Sequence, residues 1–291
     1  MQPTKLADKV ILVKLTQRKV ALTKRDAYLS DKIQRQEGDA SLTVLTKLFR
    51  SKGNAIAQIM AKFNEVYAYH KKHTLPYVDA GPRILPNDLY FEYTQETKHL
   101  IAQVENLKRT YMPQYDQLVL EDVMYRNSGH AAGRAHVDDY PTAEQFDSAM
   151  SIDIRFQPMP DSRHFLFDLS EDDLKSFEQS ELEASMAMNA DIIGRMLKPL
   201  SALTQRLQDY QGQKGERFHN SLIENVIEGC DIARKLAINP TEELLNEINS
   251  IESIAKATLH DAEIIKGSAN ARVEARRKFA EVADKLGAYY G

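Results

Sequence analysis

The sequence predicts an α+β protein, predominantly α-helical, with long helices packed on a small antiparallel sheet. Three observations carry this. Glycine and proline are sparse, 12 and 10 residues in 291, so turns are few and helices long. Through most of the chain apolar residues recur at three- and four-residue steps, the helical period. Around residues 9–23 and 151–169 they alternate instead, the period of a half-buried strand.

The first strand region reads KVILVKLTQRKVALT, residues 9–23. Ile11, Val13 and Leu15 alternate with Lys14 and Thr16, and Val20 and Leu22 with Lys19 and Ala21. A helical stripe through Ile11, Leu15, Arg18 and Leu22 also fits. Near the middle of the chain Ile152, Ile154 and Phe156 alternate with Asp153, Arg155 and Gln157. A proline-rich turn follows, then Phe165, Phe167 and Leu169 alternate with Leu166 and Asp168. This predicts a hairpin of strands near 151–157 and 163–169. A lone hairpin is marginal in water, so the strand near 9–23 is its natural third member.

Helical stripes fill the rest. Val44, Leu45, Leu48, Phe49, Ile56, Ile59, Met60, Phe63, Val66 and Tyr67 predict one helix, with Gly53 as a break. Leu100, Ile101, Val104, Leu107, Tyr111, Tyr115, Leu118 and Val119 predict another, interrupted near Pro113. Between them LPYVDAGPRILPND (75–88) reads as a rigid connector, and 127–141 as a long polar loop. Ser170 and Asp173 predict a capped start of a long helix. In it Ile193, Leu200 and Leu207, and Met196, Leu203 and Tyr210, repeat every seven residues. Phe218, Leu222, Val226 and Ile227 start the next helix. Asn239, Pro240 and Glu242 mark a third start, with Asn239 as the N-cap. A last helix carries Val273, Phe279, Val282 and Leu286 and is expected to end at Gly287. The whole, 1–291, reads as one domain without internal repeats.

The net charge of −4 conceals an asymmetry. Residues 1–72 hold 15 Lys/Arg against 6 Asp/Glu, a net of +9. Residues 73–265 hold 17 against 33, a net of −16, and residues 266–291 hold 6 against 3, a net of +3. Two basic ends flank an acidic helical body. Solvated faces account for many such runs; the sharper reading is a surface for an anionic polymer.

Other functions find less support. The single cysteine, Cys230, forms no internal disulfide and no zinc site, and its apolar neighbours place it in a core. The longest strictly apolar run, Val10–Val13, is far short of the ~20 residues of a membrane span. The N-terminal MQPTKLADK lacks the apolar stretch of a signal peptide, which predicts a cytoplasmic protein with no membrane partner. There is no phosphate-binding glycine loop and no nucleophile elbow. His70 and His73, beside Lys71 and Lys72, read as exposed side chains. His130, His136, Asp138 and Asp139 are the best metal candidates, and a polar surface loop explains them better. No metal, no cofactor and no catalytic residue is expected.

The basic segments are the strongest functional signal. In the first strand Lys14, Arg18, Lys19, Lys24 and Arg25 alternate with apolar residues, which puts several cations on one exposed face, and Tyr28, Lys32 and Arg35 follow. Lys47, Arg50 and Lys52 fall on the polar side of the predicted first long helix. Arg272, Arg276, Arg277 and Lys278 cluster near the C-terminus. Cations track phosphates and exposed aromatics stack on unpaired bases, so this mixture favours single strands over duplex. The candidate stackers are Tyr28, Tyr69, Tyr289 and Tyr290; Tyr67 belongs to a core stripe.

Four stretches carry a family resemblance: LPYVDAGPRILP (75–86), YPTAEQF (140–146), IRFQPMPDSRHFLFDL (154–169) and RFHNSLIENVIEGCDIARKLAINPTEELLNEI (217–248). In layout over most of the chain they resemble a family of phage and bacterial proteins that includes a single-stranded-DNA-binding RNA polymerase cofactor of a Pseudomonas podovirus. The resemblance implies sequence-tolerant binding of single-stranded DNA by a fold unlike the OB-fold. It also implies recruitment of the phage RNA polymerase at unwound middle promoters, in the host cytoplasm. It fixes no binding residue. Bacterial relatives accompany ring-type ATPases of the MoxR kind, which implies a non-enzymatic protein–protein adaptor as the alternative. Homo-oligomer formation is left open.

Overall fold

The computed structural model describes residues 6–50, 53–77, 81–129, 134–160, 170–213 and 215–290. Among these, ten α-helices and five strands follow one another. They run β1 (Val10–Arg18), β2 (Thr23–Arg25), α1 (Ala27–Glu37), β3 (Leu45–Lys47), α2 (Ala55–Lys72), β4 (Arg83–Pro86), α3 (Tyr90–Tyr111) and α4 (Tyr115–Asn127). Then come α5 (Ala143–Ala149), β5 (Ser151–Pro158), α6 (Glu171–Asp209), α7 (Ser221–Leu236), α8 (Glu242–His260), α9 (Ala262–Gly267) and α10 (Ala269–Tyr290). The fold is α+β and predominantly helical. The strands form two open sheets, β4-β1-β5 and β2-β3, not a closed barrel. The residues gather into two compact units: 1–14, 71–91 and 156–291, and 15–70 and 92–155.

In the first unit β1 pairs antiparallel with β4, from Val10 opposite Pro86 to Val13 opposite Arg83. Leu12, Val13, Ile84 and Leu85 are buried there. β4 corrects the expectation of a simple connector over 75–88. Four residues between Gly81 and the 3-10 turn at Asn87–Leu89 suffice for a strand, and Leu75 bridges to Ile84. On β5 the expected alternation holds, with Ile152, Ile154 and Phe156 half-buried. The expected second arm, 163–169, lies outside the described residues.

α6 packs on α7 and α10, and α8 on α7 and α10. The seven-residue seam is the reason: Ile193, Met196, Leu200, Leu203 and Leu207 are buried along one face of a helix about 58 Å long. Pro199 sits inside α6 and has no N–H for the Arg195 carbonyl four residues earlier. The α7 backbone closes on that carbonyl at Gly229. A Cβ there would stand 2.7 Å from the Arg195 oxygen, so only glycine allows this approach. The Arg195 side chain pairs with Asp191 at 2.6 Å. It also donates to the carbonyls of Lys71, Lys72 and Thr74, closing the C-terminal end of α2.

Helix ends follow local chemistry, with three shifts from the sequence reading. Ser170 Oγ accepts from the Asp173 N–H, as expected. The cap of α8 is Thr241, whose side chain accepts from Leu244 N at 3.2 Å; Asn239 instead takes a left-handed conformation with φ 51°. α10 runs past Gly287 to Tyr290. α2 begins at Ala55, not near Val44, because Phe49 and Gly53 adopt positive φ and break the stripe.

Cys230 is fully buried, and burial pushes its thiol up to about 12. An unfolded thiol ionises near ~8.5. The neutral thiol therefore contributes stability that is complete below that value and is lost as pH rises toward 12. Two results are expected. A thiol reagent labels the folded protein only at the rate of unfolding, and Cys230→Ala removes part of the fall in denaturation midpoint between neutral pH and pH ~10.

The second unit has its own core, including Ile56, Ile59, Phe63 and Val66 of α2, Leu100 and Val104 of α3, and Tyr115, Val119 and Phe146. α3 and α4 are joined by a 3-10 turn at Met112–Gln114, where Pro113 interrupts the stripe as expected. Lys108 is buried, pairs with Asp147 at 2.9 Å and donates to Met150 O, closing the end of α5. His70, expected on the surface, is buried with its Nδ1 2.8 Å from the Tyr93 hydroxyl.

Candidate nucleic-acid interface

The sequence from residue 15 to 50 carries eight Lys/Arg against four Asp/Glu, a net of +4. It folds as β2, α1 and β3, and the two strands pair antiparallel with Lys24 opposite Thr46. α1 starts at Asp26, whose carboxylate accepts from Leu29 N, and ends at Gly38, left-handed at φ 70°. Ser30 ties helix to ribbon. Its hydroxyl donates to Asp26 O at 2.6 Å and accepts from Val44 N at 3.0 Å. Gln34 donates to Leu42 O at 2.7 Å. The cations are thus held on a braced element, not on a free loop.

Pleating sorts them. Arg25 and Lys47 share one face of the β2–β3 ribbon, and Lys24 lies on the other. On α1, Tyr28, Lys32 and Arg35 are spaced four and three residues apart and share an exposed face. Lys14 and Arg18 are exposed on one face of β1. Lys14 falls in the first unit; Arg18, Lys19, Lys24, Arg25, Tyr28, Lys32, Arg35, Lys47 and Arg50 all fall in the second. Lys47 is a strand residue and Arg50 follows that strand, which corrects their placement on a helix. Lys52 lies outside the described residues.

Partners divide the set. Lys19 donates to Asn64 Oδ1 at 2.6 Å and stands 5.5 Å over the Phe63 ring. Lys24 is paired with Asp139. Arg134 covers the Tyr28 ring at 4.6 Å, so that face is occupied. Lys14, Arg18, Arg25, Lys32, Arg35, Lys47 and Arg50 are exposed, and among the described residues none makes an ion pair or side-chain hydrogen bond.

The C-terminal cluster differs. Arg272 is buried; it donates to Ile265 O at 3.0 Å and Lys266 O at 3.1 Å and stacks on Tyr210 at 5.3 Å. It closes the end of α9 and offers nothing to a ligand, which corrects its place among the candidates. Arg277 pairs with Glu281 at 2.5 Å, and Lys278 with Glu274 at 3.0 Å. Arg276 alone of the four is exposed without an ion pair among the described residues. The six unpartnered cations of the second unit, Arg18, Arg25, Lys32, Arg35, Lys47 and Arg50, are therefore the stronger candidates.

Of the aromatic candidates, Tyr69 is half-buried and stacked on Tyr93 at 5.9 Å, and burial pushes its hydroxyl up to about 12. The side chains of Tyr289 and Tyr290 lie outside the described residues. Tyr67 is 43% exposed, against the expectation of a core residue. Among the described residues no three His, Cys, Asp or Glu side chains converge to hold a metal; His130 lies outside them. Among the described residues no helix is long and apolar enough to cross a membrane.

Behind the cations lies a buried polar network. Asp122 accepts from Phe49 N at 2.7 Å and from the Tyr140 hydroxyl at 2.6 Å. Arg126 donates to the same hydroxyl at 3.3 Å and pairs with Asp139, the partner of Lys24, at 3.8 Å. Burial, then the Asp122 hydrogen bond, pushes the Tyr140 hydroxyl up to about 12. This network holds the chain at Phe49, next to Arg50. Asp122, Arg126 and Asp139 were missed as supports; each lies about 70 residues or more from the segment it braces.

No family model matches the chain, and no curated protein or solved structure matches it.

Proposed function

We propose that this chain is a non-enzymatic single-stranded-DNA-binding protein. It binds without sequence preference and acts as a phage transcription cofactor that recruits the phage RNA polymerase to unwound middle promoters in the host cytoplasm. One observation carries the DNA-binding reading: Arg18, Arg25, Lys32, Arg35, Lys47 and Arg50 are exposed in one compact unit and, among the described residues, have no partner. The stretch 15–50 that holds them carries eight Lys/Arg against four Asp/Glu, a local excess of positive charge. Six left unpaired in one unit suit a partner that brings its own anions. The polymerase-recruiting role rests on the resemblance to Drc, the podoviral cofactor. Contacts to phosphates and base faces do not read base edges, hence the tolerance of sequence.

The test is competition. Labelled oligothymidylate bound to the protein is displaced equally by unlabelled strands of mixed sequence and of oligothymidylate, and poorly by duplex. Strong preference for one sequence, or equal displacement by duplex, defeats the proposal.

A second reading is a protein–protein adaptor for a ring ATPase of the MoxR kind. Leu120 and Met124, 52% and 72% exposed, lie one turn apart on α4 and suit an apolar contact. Under that reading the chain retains no oligonucleotide even at low salt.

A further inference from the structure

A groove of about 600 Å³ lies in the second unit, between β3 and the end of α4. Its walls include Leu45, Lys47, Arg50, Tyr125 and Arg126. The size falls within the ~300–1,000 Å³ of small-ligand clefts. Three observations distinguish it from an ordinary surface crease.

First, its apolar wall is exposed: Tyr125 is 52% and Leu45 63% accessible. Tyr125 is among neither the stacked aromatic pairs nor the cation–π pairs that occupy Tyr28 and Tyr69. Second, two of its cations are available and a third is partly engaged, Arg126 pairing with Asp139 and donating to the Tyr140 hydroxyl. Lys47 and Arg50 have no partner among the described residues. The Arg126 side chain is only 9% exposed, and its Nε is buried without a hydrogen-bond partner. A buried guanidinium N–H without an acceptor is costly, and an incoming anion relieves it. Third, the groups in it that would repel an anion are engaged: the Asp26 carboxylate accepts from Leu29 N and lies 3.9 Å from Arg134, and the helix end is satisfied. The carbonyls of Met124, Tyr125 and Arg126 accept from Ser128 N, Ser128 Oγ and Gly129 N.

We infer that this groove is a nucleotide subsite for the single strand, in which Tyr125 stacks on one base and Lys47, Arg50 and Arg126 take its flanking phosphates. The inference rests on the proposed DNA binding and names where one base is held. A duplex keeps its bases paired and presents no base face to Tyr125, so the groove adds discrimination that phosphate contacts lack. A free nucleotide brings the same chemistry, but not the phosphates on both sides.

The test uses the full chain with Tyr125→Ala, Tyr125→Phe and Tyr125→Trp. The probes are labelled oligothymidylate and an abasic phosphodiester oligomer of equal length. Tyr125→Ala is expected to weaken oligothymidylate binding about tenfold and to leave the abasic oligomer unchanged, while Tyr125→Phe retains affinity. The chain has no tryptophan, so Tyr125→Trp gives a lone reporter. Its fluorescence is expected to be quenched by oligothymidylate, and not by the abasic oligomer. Thymidine monophosphate is expected to compete poorly. Equal weakening on both oligomers, no weakening on either, or an unquenched tryptophan overturns the subsite while wild-type binding stands. Competition by the monophosphate as strong as by the oligomer assigns the groove to free nucleotides and also overturns it. A wild type that binds neither oligomer removes the DNA-binding reading itself.

Discussion

Charge reversal of Arg18, Arg25 and Arg35 together lowers affinity for single-stranded DNA roughly a hundredfold at low salt. All three are exposed, unpartnered and outside the Tyr125 groove. Each lost phosphate contact is on the order of 1 kcal/mol, and three multiply to about two decades. The salt slope should fall by about 2, because each single-strand phosphate contributes roughly 0.7. The same reversal at Arg276, Arg277 and Lys278 should change affinity less than about threefold. Two of those cations are already paired along α10, and the loss there is some tenths of a kcal/mol of helix stability. Filter binding of both triple variants, with circular dichroism to show that each is folded, decides it. A larger loss from the C-terminal variant would move the site to α10.

Asp122→Ala is expected to lower stability by about 3 kcal/mol, or a melting temperature lower by on the order of 10 °C. The carboxylate is fully buried, and its donors include Phe49 N and the Tyr140 hydroxyl. Its removal leaves both without that acceptor, at about 1–3 kcal/mol each. It also frees Phe49 from a positive φ that a bulky residue adopts only under constraint. Asp122→Asn keeps one acceptor oxygen and should lose less. Thermal denaturation followed by circular dichroism measures all three proteins. A change below about 1 kcal/mol in Asp122→Ala would mean that Phe49 is held by its ring contacts to Tyr115 and Tyr140 alone.

The helical body was legible because its period is long and repeated. Met196, Leu200, Leu203 and Leu207 each land in the core as the seven-residue spacing requires. β5 was legible for the same reason at period two. Three-residue strands give too few repeats. Val44, Leu45, Leu48 and Phe49 fit a helical stripe, yet Leu45 is exposed on β3 and Phe49 turns the chain. β4 was hidden by its proline and glycine neighbours.

The candidate site was legible in its charges and not in their partners. Nothing local in the sequence tells Lys24, paired with an aspartate 115 residues away, from the unpaired Arg25 beside it. Arg272 resembles its neighbours in sequence, and only its place after α9 turns it inward. Tyr125 has no sequence signal, since apolar and charged residues are mixed around α4 and mark no exposed face. Its significance comes from β3, brought against the end of α4.

The most direct test of the account is a salt titration of labelled oligothymidylate and of a duplex of equal length, followed by fluorescence anisotropy. With four to six phosphates neutralised, log K for the single strand should fall against log salt with a slope of about −3 to −4 and exceed that for duplex at every salt concentration. A flat salt response, or equal affinity for the two, would contradict it.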